Sequence, residues 1–162
     1  MTKKIKVALA QINNSFSGQN YLPYSTALLE SYVLKNSLRA EQYEFIDTIY
    51  KRIPIVEIVS RMSSAQVVGF SMYVWNEQIT LESIRRLKKQ NPEIFIVVGG
   101  PQVPSEPQKF LKDNPQINLL VHNEGEASFL EILDNFENIN PENILGVSYL
   151  KDGEVFTNAS RP

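Results

Sequence analysis

The chain has 162 residues, with 16 Lys and Arg against 18 Asp and Glu, one His and no Cys. That length suits one domain with a single core, and 43% hydrophobic with 21% charged residues excludes collagen-like, disordered and disulfide-stapled classes. Without cysteine the chain itself offers no thiol nucleophile, thiolate zinc site or iron–sulfur ligand, and a net charge of −2 gives no field to gather nucleic acid. No apolar run approaches the roughly 20 residues that span a bilayer. Met1–Lys6 is basic, but Ile5–Ala10 is too short for a signal-peptide core. The expectation is a cytoplasmic protein with neither nucleic-acid nor membrane partners.

Short apolar strands alternate with helical patterns. Ile5–Ala10 is an expected strand, followed by a polar loop, Gln11–Leu22, and a helix from Tyr24 to Asn36 with Leu28, Leu29, Tyr32 and Val33 on one face. Tyr43–Ile49 alternates like a half-exposed edge strand. Ile55–Met62 reads as a helix, Val67–Met72 as a strand, and Glu77–Gln90 as a helix closed by Asn91-Pro92. Ile94–Val98 is apolar throughout, Pro107–Lys112 is a short helix, Ile117–Val121 a fifth strand, and Ala127–Phe136 a helix. Leu145–Leu150 and Glu154–Thr157 flank Asp152-Gly153, a hairpin signal.

Strands separated by helices pair in parallel through right-handed crossovers. The predicted fold is therefore α/β: a doubly wound, five-stranded parallel sheet of flavodoxin-like order 2-1-3-4-5, with a C-terminal β-hairpin. One domain, residues 1–162, is expected, with a sheet–helix core over about 4–140 and a hairpin and exit segment over 144–162. Ligands of such sheets bind beyond the carboxyl ends of the strands. Four loops fall there: Gln11–Leu22, Ser71–Asn76, Gly99–Glu106 and His122–Glu126.

Gly99-Gly100-Pro101 suits a plain strand-to-helix turn, and equally leaves no side chain to hold a ligand off the backbone. Tyr73 and Trp75 serve either as packing groups or as a flat wall for a planar ligand. The carboxylates of Glu124 and Glu126 complement a helix amino end. Ser15–Asn20 is similar to the hydroxyl- and glycine-rich phosphate loop of flavodoxins, which keeps an FMN-binding domain open as an alternative. His122, the single histidine, reads as a packed or solvent-bonded ring rather than a metal ligand. No G-x-G-x-x-G, G-x-x-x-x-G-K-[ST] or G-x-S-x-G motif is present.

The order Val68-Gly69-Phe70-Ser71, Val97-Val98-Gly99-Gly100-Pro101 and Asn123-Glu124-Gly125-Glu126 resembles the amino-terminal cobalamin (vitamin B12)-binding domain of B12-dependent radical SAM proteins. The ending Gly146-Val147-Ser148-Tyr149, Asp152-Gly153-Glu154-Val155, Asn158 and Arg161-Pro162 is similar to the segment by which that family leaves its first domain. The resemblance implies that Ser71, Gly99 and Gly100 flank the cofactor's nucleotide tail, followed by Pro101 and Gln102. It implies that Glu124, Gly125 and Glu126 approach the ring edge or its side chains and that Asn13, Ser15 and Leu22 contact the lower face; Tyr73, as a flat wall, is a further candidate cofactor contact. No catalytic or metal-ligating residue is assigned to this chain.

The cobalt-ligating D-x-H-x-x-G of related mutases is here Asn13-x-Ser15-x-x-Gly18, so bound cobalamin is expected to lack a histidine ligand. Gln102 stands where a His often follows Gly-Gly-Pro, and Asn123 where a Gly often precedes Glu-Gly-Glu. The resemblance further implies that S-adenosylmethionine and a [4Fe-4S] cluster belong to a C-terminal radical SAM barrel of the same parent chain, expected after Pro162. This domain's own role would be to bind and position cobalamin for radical chemistry such as methyl transfer. A ligand-free structural or docking domain is the remaining alternative.

Overall fold

Apolar runs with no polar alternation can pair in parallel only where helices cover both faces of the sheet. The computed structural model describes residues 3–162 and shows that arrangement; the first two residues of Met1–Lys6 lie outside the described residues. Strand β1 (Ile5–Asn13) leads into a two-stranded hairpin, β2 (Ser15–Phe16) and β3 (Gln19–Asn20), and then helix α1 (Tyr24–Asn36). Strands β4 (Tyr43–Phe45) and β5 (Ile49–Lys51) precede α2 (Ile55–Met62), β6 (Val67–Ser71) and α3 (Glu77–Gln90). The chain continues through β7 (Phe95–Gly99), α4 (Gln108–Asp113), β8 (Leu119–Val121), α5 (Glu126–Asp134), β9 (Val147–Lys151) and β10 (Glu154–Thr157). No helix among the described residues is long and apolar enough to cross a membrane.

The main sheet runs β10-β9-β8-β7-β6-β1-β4, with β5 paired to the far end of β1. The parallel positions thus follow 2-1-3-4-5, and two antiparallel strands are added beyond the fifth. Successive residues of each strand face opposite layers. Val67, Val97 and Val121 pack with Phe129, Ile132 and Leu133 under α1 and α5. Val68, Phe70, Val98 and Leu120 pack with Ile58, Met62, Ile84 and Leu87 under α2 and α3. Fully burying one such aliphatic side chain is worth about 1.5–3 kcal/mol, so both layers contribute heavily to holding the sheet.

Three expectations are corrected. The second strand is not continuous: Ile46–Thr48 interrupts it, and only its two ends pair with β1. The expected C-terminal hairpin is present and extends the sheet, because Leu120 and Val121 pair with Ser148 and Val147. Leu28 and Tyr32 lie outward, and only Thr26 and Val33 of α1 are buried, because this helix packs mainly against α5 and touches β1 little. Ser15–Asn20 is not a phosphate loop: Ser15 and Phe16 pair antiparallel with Asn20 and Gln19, and α1 starts only at Tyr24. Its amides are not presented at a helix amino end, which removes the basis of the FMN alternative.

The carboxyl ends of three central strands are stitched together by polar groups. Asn76, 1% exposed, donates from Nδ2 to the carbonyls of Ile12 and Ser71 at 3.0 and 3.1 Å, and its Oδ1 accepts from the Tyr73 amide at 2.8 Å. The Met72 amide donates to Gly99 O at 2.7 Å, and Met72 O accepts from the Gln102 amide. Gly100 has φ +102°, and a Cβ there would stand 2.5 Å from Met72 O, so the turn after β7 requires glycine for the chain's own sake. Asn76→Ala removes three hydrogen bonds to backbone groups, two of them buried, and should lower the unfolding free energy by about 2 kcal/mol or more in urea denaturation. Lys109→Ala, on an exposed face, should change it by less than about 0.5 kcal/mol.

Candidate functional site

Parallel strands that end level, with crossovers leaving in opposite directions on either side, open a crevice at their carboxyl ends. Here the crevice is a cavity of about 650 Å³. Its floor on the α1–α5 side is apolar, made by Leu29, Gly69, Val97, Val121 and Phe129. Gly69 leaves room for the Leu9 side chain: a Cβ on it would meet Leu9 Cδ2 at 2.7 Å, and the Phe129 ring at an ordinary contact distance of 3.6 Å.

Gly99 differs from its neighbour Gly100. It lines the cavity, its φ is not positive, and a Cβ built on it would meet nothing closer than 3.8 Å. The fold would accept a side chain there, and that side chain would fill the cavity. Gly125 opposite is similar, with its nearest contacts at 3.5 and 3.7 Å from Leu29 and Val121. Two glycines that the backbone does not demand leave space shaped for a bulky, partly apolar ligand group.

A polar cluster borders this floor. Gln11 Oε1, at the end of β1, accepts from the Ser25 amide at 3.1 Å and the Ser25 hydroxyl at 2.7 Å. Ser25 Oγ lies 2.9 Å from Ser71 Oγ. At the opposite wall His122 Nε2 is 2.7 Å from Ser148 Oγ, which is 2.8 Å from Thr157 Oγ1. Burial pushes the His122 imidazole below its ordinary value, so it is neutral near pH 7. No Lys or Arg lines the cavity.

Of the residues singled out in the sequence, Ser71, Tyr73, Gly99, Gly100, Pro101, Glu124, Gly125 and Glu126 line the cavity together. Tyr73, which lines the cavity, stacks on Trp75 with ring centroids 4.6 Å apart at 17°. Asn13, Ser15, Leu22 and Gln102 do not line it. Asn13 is buried and donates from Nδ2 to Tyr21 O at 3.2 Å, fixing the β2–β3 hairpin. Ser15 is exposed, and so is Leu22. Gln102 turns away to donate to Glu77 Oε2 at 2.9 Å.

Asn123 has φ +59°, a left-handed conformation that asparagine tolerates better than most residues, so it can stand in for glycine in this turn. Sequence reasoning missed Gln11, Ser25 and the hydroxyls of Ser148 and Thr157. Ser25, at the start of a helix facing the switch point, carried a usable signal; the others become site residues only through pairing across the sheet.

The family described as B12 binding domain matches residues 26–133. Among curated relatives, the cobalamin-dependent radical SAM methyltransferase TokK of Streptomyces tokunonensis is 31% identical over 113 residues, 70% of this chain and 17% of the relative. The 2-(S-pantetheinyl)-carbapenam-3-carboxylate methyltransferase of Streptantibioticus cattleyicolor is 32% identical over the same shares. This chain therefore spans about a sixth of the length of those relatives.

Among solved structures, the cobalamin-dependent S-adenosylmethionine radical enzyme OxsB, with aqua-cobalamin and S-adenosylmethionine bound, superposes with TM-score 0.75. It shares 21% identity over 98% of this chain and 22% of its own. The radical S-adenosylmethionine methyltransferase TsrM of Kitasatospora setae, with cobalamin and a [4Fe-4S] cluster bound, gives 0.71 at 15% identity over 99% of this chain and 30% of its own. These two matches establish likeness of fold. The family match runs from the start of α1 into α5 and takes in the glycine turn after β7 and the Glu-Gly-Glu turn that together frame the cavity; this chain belongs to the B12-binding domain family and is homologous to the B12-binding domains of cobalamin-dependent radical SAM methyltransferases.

Proposed function

We propose that this domain binds cobalamin and positions it for radical SAM chemistry, in a parent protein whose catalytic barrel follows the exit segment 144–162. The observation that carries the reading is Gly99: a cavity-lining glycine with no steric need to be one, at the rim of an apolar floor. The floor of Leu29, Val97, Val121 and Phe129 suits the flat heterocycle of the nucleotide tail, and Ser25, Ser71 and the amino end of α5 are the donors within the same cavity. The Tyr73–Trp75 stack and the exposed Leu22 and Phe16 offer an apolar platform to the macrocycle at the strand ends.

When bound, methylcobalamin supplies a methyl group carried on cobalt; the chain's own residues bind, orient and shield it. S-adenosylmethionine and the [4Fe-4S] cluster belong, on this reading, to the barrel, which is consistent with relatives several times longer than this chain and with a chain that has no cysteine. The single imidazole is held at Ser148, and Asn13 and Ser15 occupy the positions that a cobalt-ligating loop would use. Bound cobalamin therefore has no histidine ligand from this chain.

Mixing the purified chain with hydroxocobalamin, desalting it and recording the visible spectrum tests the reading. The expected result is a stoichiometric corrin spectrum with bands that lack the signature of histidine ligation. A colourless protein fraction overturns cofactor binding by this chain, and a histidine-ligated spectrum overturns the ligand assignment. Gly99→Phe should abolish retention of the corrin while leaving the thermal midpoint within a few degrees of wild type, since a Cβ there meets nothing closer than 3.8 Å. Undiminished binding in that variant would remove the cavity as the tail site. Gly100→Ala, in contrast, should lower stability through its collision with Met72.

A further inference from the structure

The cavity has a second wall that the tail reading leaves without a role, and most of it lies beyond residues 26–133. It is a three-residue relay across neighbouring strands: His122 at the end of β8, Ser148 on β9 and Thr157 on β10. Ser148 is 0% exposed, and its single hydroxyl sits between His122 Nε2 at 2.7 Å and Thr157 Oγ1 at 2.8 Å. His122 and Thr157 both line the cavity, and Nδ1 of His122 has no partner among the described residues.

One hydroxyl proton between two acceptors allows two arrangements. If Ser148 donates to Nε2, it accepts from Thr157; His122 then carries its proton on Nδ1 and presents a donor, and Thr157 presents a lone pair. If Nε2 donates to Ser148, the chain reverses; Nδ1 presents a lone pair and the Thr157 hydroxyl is released as a donor. In either state the relay offers the cavity one donor and one acceptor. A primary carboxamide, with a carbonyl to accept and an NH2 to donate, can bond either end of the relay in either arrangement. A carboxylate, which only accepts, can bond only the end that donates and holds the relay in that one arrangement. The surroundings select in the same sense, because the lining holds the carboxylates of Glu124 and Glu126 and neither Lys nor Arg. Burial keeps the imidazole neutral, as the relay requires.

We propose that the His122–Ser148–Thr157 relay recognises a peripheral propionamide of the corrin ring and discriminates against the corresponding carboxylic acid, making this wall a checkpoint for fully amidated corrinoid. The propionamides are the longer of the ring's two kinds of amide arm, and His122 is only half-exposed, below the rim formed by exposed Asn123 and Glu124. The inference rests on the cobalamin reading above and adds to it which form of the cofactor the site accepts.

The test compares the affinities of hydroxocobalamin and its b-, d- and e-monocarboxylic acids for the wild-type chain and two variants, by spectral titration at neutral pH. Ser148→Ala cuts the relay in the middle. Thr157→Val removes one end at an exposed strand position with the shape preserved, so it folds even where the buried substitution does not. In the wild type, one of the three acids should bind at least about tenfold more weakly than hydroxocobalamin. In Thr157→Val that ratio should fall several-fold, through weaker binding of the amide form with little change for the acid. Equal affinity for all four corrinoids overturns the relay proposal while leaving cobalamin binding intact. An undiminished ratio in Thr157→Val assigns the selection to Glu124 and Glu126 alone and also overturns it. Failure of hydroxocobalamin itself to bind the wild type overturns the cofactor reading, and the relay proposal with it.

Discussion

The site depends on the amide of Asn76. Where parallel strands stop and their crossovers depart, carbonyls at the strand ends lose their ladder partners, and burying them unpaired costs about as much as a lost hydrogen bond. Asn76 resolves this at the centre of the sheet by bonding Ile12 O and Ser71 O with one nitrogen and the Tyr73 amide with its oxygen. Because Asn76 is also the residue from which α3 starts, its carbonyl accepting from the Thr80 amide, the same residue ties the ends of β1 and β6 to the direction in which the next helix leaves. The Met72 amide extends the stitching to β7 through Gly99 O. With three strand ends held level, the crevice beyond them has a rigid floor rather than fraying loops.

Two adjacent glycines then divide the labour of shaping it. Gly100 serves the chain: its positive φ and its contact with the Met72 backbone leave no room for a side chain. Gly99 serves the space: it has ordinary backbone geometry and open surroundings, so its missing Cβ is legible only as volume withheld from the protein. The cavity is polar at two walls and apolar beneath, with Ser25–Ser71 on one side and His122–Ser148–Thr157 on the other. Its wall is completed by a C-terminal segment that is itself tied down. Asn158 donates to Pro141 O and Ile144 O, and Arg161 bonds Ser128 and pairs with Glu131 on α5. The C-terminal segment is thus part of the cavity wall.

Helix α1 shows how the same forces leave a surface unfinished. It buries Thr26 and Val33 while Tyr24, Leu28, Tyr32 and Leu34 remain exposed, and the neighbouring hairpin adds Phe16, Tyr21 and Leu22. In sequence these residues carry the apolar character of a core face, which is why periodicity placed Leu28 and Tyr32 inside. Periodicity reports apolarity and phase; it does not report how many neighbours the rest of the fold can supply to a face.

The sequence by itself determined the strand and helix alternation, the parallel order and the loops at the carboxyl ends, because covalent periodicity and the handedness of crossovers leave few other solutions. It also located the Gly-Gly-Pro and Glu-Gly-Glu turns of the cavity, since these are contiguous in the chain. Only the tertiary structure decided that Asn13 and Gln102 point elsewhere, that Gly99 and not Gly100 is the open position, and that Ser25 and Thr157 line the cavity with Gln11 and Ser148 bonded behind them. Those facts depend on which residues meet across strands and layers. A pairing such as His122 with Ser148 joins positions 26 residues apart, and no local pattern in the chain specifies it.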